Sequence, residues 1–266
     1  MQSQTENLPA NREPSYRYPR DNDESRAAVN TARTVLPVLF AEAGPIRSAV
    51  DIGCGYGEWL YVCKEQGLTD IIGADGAWVD RSKILISESE FTSVDCSQPF
   101  DLQRTFDLAL CTELAEHVPD GSADSLVASL TRLAPLIVWS AAIPYQGGKD
   151  HINEQWPEYW AGKFARHGFV PLEEIRQLIW DRADLIWWYK QNLMLYVHAD
   201  KLDGLERLKA ACARHSPIPS RVVHPDLFLK KMTRQIHVRD AISEVGRALG
   251  RAWRSRFSGR SKAGKP

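Results

Sequence analysis

The sequence predicts an α/β protein: a mostly parallel seven-stranded sheet with helices on both faces, followed by a C-terminal helical extension. Three observations carry that prediction. Short apolar runs alternate with amphipathic, helix-length stretches from residue 24 to residue 199. The first run, Ala49–Ile52, leads into a loop with Gly53, Gly55 and Gly57, and a helical pattern follows from Glu58. Acidic residues fall at or near the carboxyl ends of the predicted strands: Asp51, Asp75, Asp95 and Glu113. In an open parallel sheet, that edge is where ligands bind.

The elements follow in order. Residues 1–23 are polar and proline-bearing and read as a disordered arm. From Glu24, Ala28, Val29, Ala32, Val35, Leu36, Leu39 and Phe40 form one helical stripe that ends near Gly44-Pro45. Strands are expected at Ala49–Ile52, Asp70–Ala74, Phe91–Val94, Phe106–Cys111 and Leu136–Ala141. Helices are expected at about Gly57–Gln66 and Ser122–Leu133, with a helical turn from Val79. Beyond 142 the alternation loosens. Ile143–Glu154 reads as a glycine-bearing loop, Gln155–His167 as a helix, and Gly168–Pro171 and Asn192–Val197 as the last strands. Within that helix, Trp160 and Phe164 are one turn apart and read as a core pair. His151, Asn153, Glu154 and Trp156 are expected to face a site.

Composition is that of an ordinary globular protein, with 44% hydrophobic and 25% charged residues. Net charge is −1 but unevenly spread: residues 201–266 hold 16 Lys and Arg against 5 Asp and Glu. That contrast suggests an acidic main domain, 24–199, and a basic extension, 200–266. The five cysteines are odd in number, with no C-x-x-C pair, which indicates neither a disulfide framework nor a zinc knuckle. Reduced thiols fit a cytoplasmic location. No stretch approaches the roughly 18 apolar residues needed to span a bilayer.

With an acid before the first glycine, Asp51-Ile-Gly-Cys-Gly-Tyr-Gly resembles motif I of class I S-adenosylmethionine (SAM)-dependent methyltransferases. Asp75-Gly76, Asp95-Cys96 and Phe106-Asp-Leu-Ala-Leu-Cys resemble the second, third and fourth motifs, and the resemblance covers about residues 28–198. It implies a Rossmann-like class I fold, with SAM held by Asp51, Gly53, Cys54, Gly55, Gly57, Asp75, Gly76, Asp95, Cys96 and Thr112. Asp75 would accept hydrogen bonds from the ribose hydroxyls and Asp95 from the adenine amino group.

Glu113-Leu-Ala-Glu-His117 follows the fourth strand. This segment resembles two subsets of the superfamily, ubiquinone-type O-methyltransferases and plant-type small-RNA 2′-O-methyltransferases. In the second, two glutamates and two histidines hold Mg²⁺; the equivalents would be Glu113, Glu116, His117 and, as the distant ligand, His151. Carboxylate and imidazole ligands do not select Mg²⁺ over Mn²⁺. Without a metal, His117 suits the role of general base, assisted by Glu113 or Glu116, with His151 orienting the substrate.

Ile143–Trp160 together with Trp187–Asn192 resembles a bacterial and phage methyltransferase branch linked with surface-glycan and nucleotide-sugar metabolism. The expected reaction is therefore O-methylation of a sugar hydroxyl on a small-molecule or glycan acceptor. Three alternatives stand beside it: an RNA 2′-O-methyltransferase, a methyltransferase of a quinone or lipid-linked acceptor, and a non-catalytic SAM-binding subunit. In the extension, 241–257 has an amphipathic pattern with Trp253 and Phe257 on its apolar face and arginines around them. It suits peripheral contact with the inner membrane face, a polyanion, or a packed or oligomer-forming helix.

Overall fold

The computed structural model describes residues 23–203, 205–214, 218–233, 242, 243 and 245. The expected N-terminal arm, 1–23, and the amphipathic stretch 241–257 therefore lie almost entirely outside the described residues. The chain divides into a large compact unit ending at Val222 and a small one beginning at Val223. In the small unit, residues 225–233 are helical.

The large unit opens with α1 (Asp23–Glu42), which carries Pro37 inside it. There follow β1 (Ser48–Ile52), α2 (Glu58–Glu65), β2 (Asp70–Asp75) and β3 (Phe91–Ser93). Two short 3₁₀ turns, Arg81–Lys83 and Glu88–Glu90, occupy the β2–β3 connection where a helical turn was expected. Next come β4 (Leu108–Thr112), α3 (Ala123–Leu133), β5 (Leu136–Ser140) and α4 (Pro157–Ala165). The unit closes with β6 (Phe169–Leu172), α5 (Glu174–Ile179), α6 (Trp187–Asn192), β7 (Met194–His198) and α7 (Glu206–Arg214).

The seven strands run in the order β3-β2-β1-β4-β5-β7-β6. The first five are parallel, and β7 is antiparallel to both neighbours. The order reverses between β1 and β4, so a crevice opens at the carboxyl ends of those two strands. Asp51, Asp75 and Glu113 are brought to it from three strand ends.

Period-two alternation in the strands sorts side chains onto two faces. Ala49, Leu108, Leu110, Leu136 and Val138 pack with α1, α2, α5 and α6 on one side. Val50, Ile52, Ala109, Cys111, Ile137 and Trp139 pack with α3 and α4 on the other. The Trp160–Phe164 pair is buried in the second layer: Phe164 stacks on Tyr196 at 3.9 Å, and Trp160 lies 5.0 Å from Trp139. The packed core continues past residue 199, because Leu208 and Ala211 of α7 are buried in the first layer.

The sequence pattern missed α5 and α6. Each is 6 residues long, too short for the 3.6-residue period to declare itself.

Candidate active site

The glycine loop turns sharply out of β1. Gly53, Gly55 and Gly57 all have positive φ, at 75°, 56° and 85°. At Gly53 the requirement is twofold, since an added Cβ would also lie 2.8 Å from the Leu114 side chain. The loop thus rests directly against the Glu113–His117 segment. The Asp75 carboxylate closes the loop from β2, accepting from the Gly55 N–H at 2.8 Å and from the Gly76 N–H at 2.6 Å. Burial raises its pKa, and these two donors oppose the rise.

Asp51 is 2% exposed, and its Oδ1 has no hydrogen-bond partner among the described residues. Burial, then the charges of Glu58 and Asp75, push its pKa up to about 8. An unsatisfied acid beside glycine N–H groups is what a cationic ligand with an amino-acid end would complement. At the far edge, Asp95 accepts from the Ser97 N–H at 2.9 Å and its hydroxyl at 2.6 Å, and Cys96 is buried next to it. Thr112 ends β4, and Cys54 is buried in the loop. Trp78, absent from the sequence-based candidates, lies with its indole against Gly76: a Cβ on Gly76 would meet the ring at 2.1 Å. Trp78 is 52% exposed, so much of its side chain remains open to solvent. Asp107 plays no part here. It sits at the opposite end of β4 and binds the Arg47 and Ser48 N–H groups.

The Glu113–His117 segment leaves β4 through a strained residue, because Glu113 itself has φ 51°. The Ser140 carbonyl and hydroxyl hold its N–H, each at 3.0 Å. Ala115–His117 then form a 3₁₀ turn. Its Glu116 carbonyl accepts from Ile152 N–H at 2.8 Å and Asn153 N–H at 3.0 Å, which docks the 143–156 loop onto it. That docking brings together two histidines 34 positions apart: the His117 and His151 rings meet edge to face, 5.0 Å between centroids.

The ligand atoms of Glu116, His117 and His151 all lie within 4.8 Å of one another. His117 Nδ1 is 3.2 Å from the Asp150 carbonyl. A carbonyl only accepts, so Nδ1 carries the proton and Nε2 is the basic nitrogen. His151 Nδ1 is 2.9 Å from the Glu154 carboxylate, with the same consequence. Burial and then the neighbouring His151 hold the His117 pKa below the usual imidazole value. Glu116 is fully buried, with the Glu116 and Ala142 backbone N–H groups and the Glu113 carboxyl directed at its carboxylate. Burial and then Glu113 push its pKa well up.

Glu113 is outside that three-residue group. Its carboxylate accepts from Asn192 Nδ2 at 3.1 and 3.4 Å. Asn192 is held by Gln146, whose Oε1 also accepts from Gln191 and from the Ile143 N–H. These amides lie within Ile143–Trp160 and Trp187–Asn192, the segments that the sequence singled out, but spacing alone does not show that they meet at Glu113. Of the residues expected around the site, Asn153 is buried, while Glu154 and Trp156 are half-buried. The Arg221 guanidinium lies over Trp156, 5.4 Å from the ring centroid, and pairs with Glu158.

An open parallel sheet, a glycine loop after β1 and an acid ending β2 define a Rossmann-like class I methyltransferase fold. The chain belongs to the family described as a methyltransferase domain, whose model matches residues 22–185. Its cofactor is S-adenosylmethionine. Among solved structures, a sugar N-methyltransferase from a Streptoalloteichus species is similar with a TM-score of 0.50 and 14% identity, over 73% of this chain and 99% of that one. Magnesium protoporphyrin IX methyltransferase from Synechocystis gives 0.48 and 16%, over 69% and 91%. An amino pentose methyltransferase from Micromonospora echinaspora gives 0.44 and 16%, over 66% and 91%. At these identities the likeness is one of fold. No curated protein matches the sequence. No helix among the described residues is long and apolar enough to cross a membrane.

Proposed function

We propose that the protein O-methylates a hydroxyl of a sugar acceptor, on a nucleotide-sugar or a glycan. The observation that carries this reading is the pairing of His117 and His151 at the end of β4, each with Nε2 as its basic nitrogen. Bound SAM supplies an electrophilic methyl group on a sulfonium. Asp51, the glycine loop and Asp75 would hold the cofactor, and the exposed Trp78 indole beside Gly76 would be available to its adenosine end. His117 Nε2 takes the proton of the attacking hydroxyl as the oxygen–carbon bond forms and the carbon–sulfur bond breaks. Its depressed pKa keeps it neutral, and therefore a base, at physiological pH. Glu113, oriented by Asn192, accepts a hydrogen bond from the acceptor and fixes the line of attack. Trp156 is half-buried on the cap beside Arg221, an aromatic and cationic pair that suits a sugar carrying a phosphate. A sugar is also what the Streptoalloteichus enzyme, alike in fold, is named for.

A divalent cation fits the same cluster. Glu116, His117 and His151 would hold it, and the partners at the two Nδ1 atoms are the outer support that metal-bound imidazoles have. The burial of the Glu116 carboxyl beside a second acid, Glu113, favours a positive charge at the same place. Such an ion lowers the pKa of a hydroxyl near it. Glu113, bound to Asn192, would stand beside this ion rather than on it.

The test is transfer of radiolabelled methyl from SAM into fractionated extract, with and without EDTA. Label in a nucleotide-sugar or glycan fraction supports the acceptor class. Label in RNA or lipid overturns it and leaves the cofactor standing. Sensitivity to EDTA, reversed by Mn²⁺ or Mg²⁺, assigns the ion; insensitivity leaves His117 as a metal-free base.

A further inference from the structure

Glu58 is the first residue of α2 and directly follows the glycine loop. It is only 4% exposed, and carboxylates are almost never that buried unless paired. Yet Glu58 forms no ion pair with a described residue. The Ser25 hydroxyl of α1 and the Tyr56 and Glu58 backbone N–H groups donate to its carboxylate, none of them a cation, while Oε1 has no partner.

Asp51, across the loop, is in the same condition, with an unpartnered Oδ1 at 2% exposure. The two acids sense each other: after burial, the Glu58 charge is the main cause that keeps Asp51 protonated. The groups facing them are Asp75 on β2, the Cys54 thiol on the loop, Ser25 on α1, Cys63 on α2, Tyr189 on α6, and the Cys96 and Cys111 thiols. The Asp75 oxygens already receive Gly55 N–H and Gly76 N–H. The Cys54 thiol is pushed up by burial and these acids and stays neutral. No cationic side chain of the described residues offsets the pair.

We propose that Glu58 is a second cofactor-binding carboxylate, which seats the α-ammonium group of SAM together with Asp51. An ammonium brings one positive charge and three N–H donors. It satisfies both unpartnered oxygens and cancels their mutual repulsion. The pair shares a proton before the cofactor arrives and releases it when the ammonium takes its place. The N-terminus of α2 contributes in the same sense, because a helix start favours the ionised form of Glu58. The inference rests on the cofactor and not on the acceptor proposed above.

The test compares two ligands on two proteins by titration calorimetry. 5′-Methylthioadenosine keeps the adenine, ribose and sulfur of SAM but lacks the amino-acid end. In Glu58→Gln, SAM affinity should fall about tenfold or more, since the acceptor facing the ammonium loses its charge. Affinity for 5′-methylthioadenosine should stay within about twofold of the wild type. Wild-type binding of SAM should also release a proton, seen as an enthalpy that changes with the buffer. An equal loss for both ligands would make Glu58 a support of the loop and overturn the proposal, as would unchanged SAM affinity. A measurement on the wild type alone guards against misfolding of the variant. A SAM analogue lacking only the α-amino group should bind at least about tenfold more weakly than SAM, and equal binding would overturn the proposal.

Discussion

Asp51→Asn should stabilise the cofactor-free protein at neutral and alkaline pH while weakening SAM binding. Asp51 has its pKa raised from 3.8 to about 8 by burial, Glu58 and Asp75. Between those two values the folded protein holds a proton that the unfolded chain has released. The stability associated with Asp51 is therefore fully present below about pH 4 and is lost as pH rises to about 8. The slope is at most about 1.4 kcal/mol per pH unit, so roughly 4 kcal/mol is lost between pH 4 and pH 7. Sharing of a proton with Glu58 makes the measured figure smaller, on the order of 2–4 kcal/mol. Asparagine keeps the shape and never ionises, so that loss should disappear. The assay is urea unfolding of both proteins at several values between about pH 5 and pH 8, with m-values checked for constancy. The stability of the wild type relative to the variant should decline steadily with pH. A constant difference would show Asp51 already ionised at pH 5 and refute the picture of an unsatisfied buried acid. SAM should shrink the decline, because a bound cation restores the preference for the charged form.

His117→Ala should cut methyl transfer by about 10²–10⁴-fold and leave SAM affinity within about twofold, measured by turnover and by calorimetry. Gly148→Ala should lower turnover with little effect on SAM binding, because the new Cβ would lie 2.1 Å from His151 Nε2 and displace the ring. Gly53→Ala should destabilise the protein by about 2–4 kcal/mol in urea unfolding, since φ is 75° and the Cβ would press on Leu114 at 2.8 Å. Phe164→Ala should cost about 3–5 kcal/mol, as the ring is fully buried against Tyr196 and Trp139. Recovery of native SAM affinity below the Phe164→Ala melting temperature would confirm that this layer supports the cap and not the cofactor loop.

The order of elements, the glycine loop and the acids at the strand ends were legible in the sequence because each rests on local physics. Alternation along β1 and β4 sorts side chains to two faces, and glycine at 53, 55 and 57 permits the positive φ of the turn. Asp75 could be placed because a strand end is a topological position, fixed once the alternation is read. Short α5 and α6 escaped, since six residues hold less than two turns of the period.

Tertiary structure alone decided which of the candidate groups meet. The Glu116 carbonyl binds Ile152 and Asn153 N–H groups, and only that docking sets His151 against His117. The same packing set Glu113 between Asn192 and the Glu116 carboxyl, through a buried amide cluster whose contacts spacing alone does not give. Glu58 was invisible for a related reason. A glutamate at a helix start reads as an ordinary solvated residue, and its burial follows only from α1 lying across the glycine loop with Ser25 against it. Residue types and periodicity specify which faces are apolar. The burial of a single charge depends on distant segments arriving over it, and one-dimensional spacing does not encode that arrival.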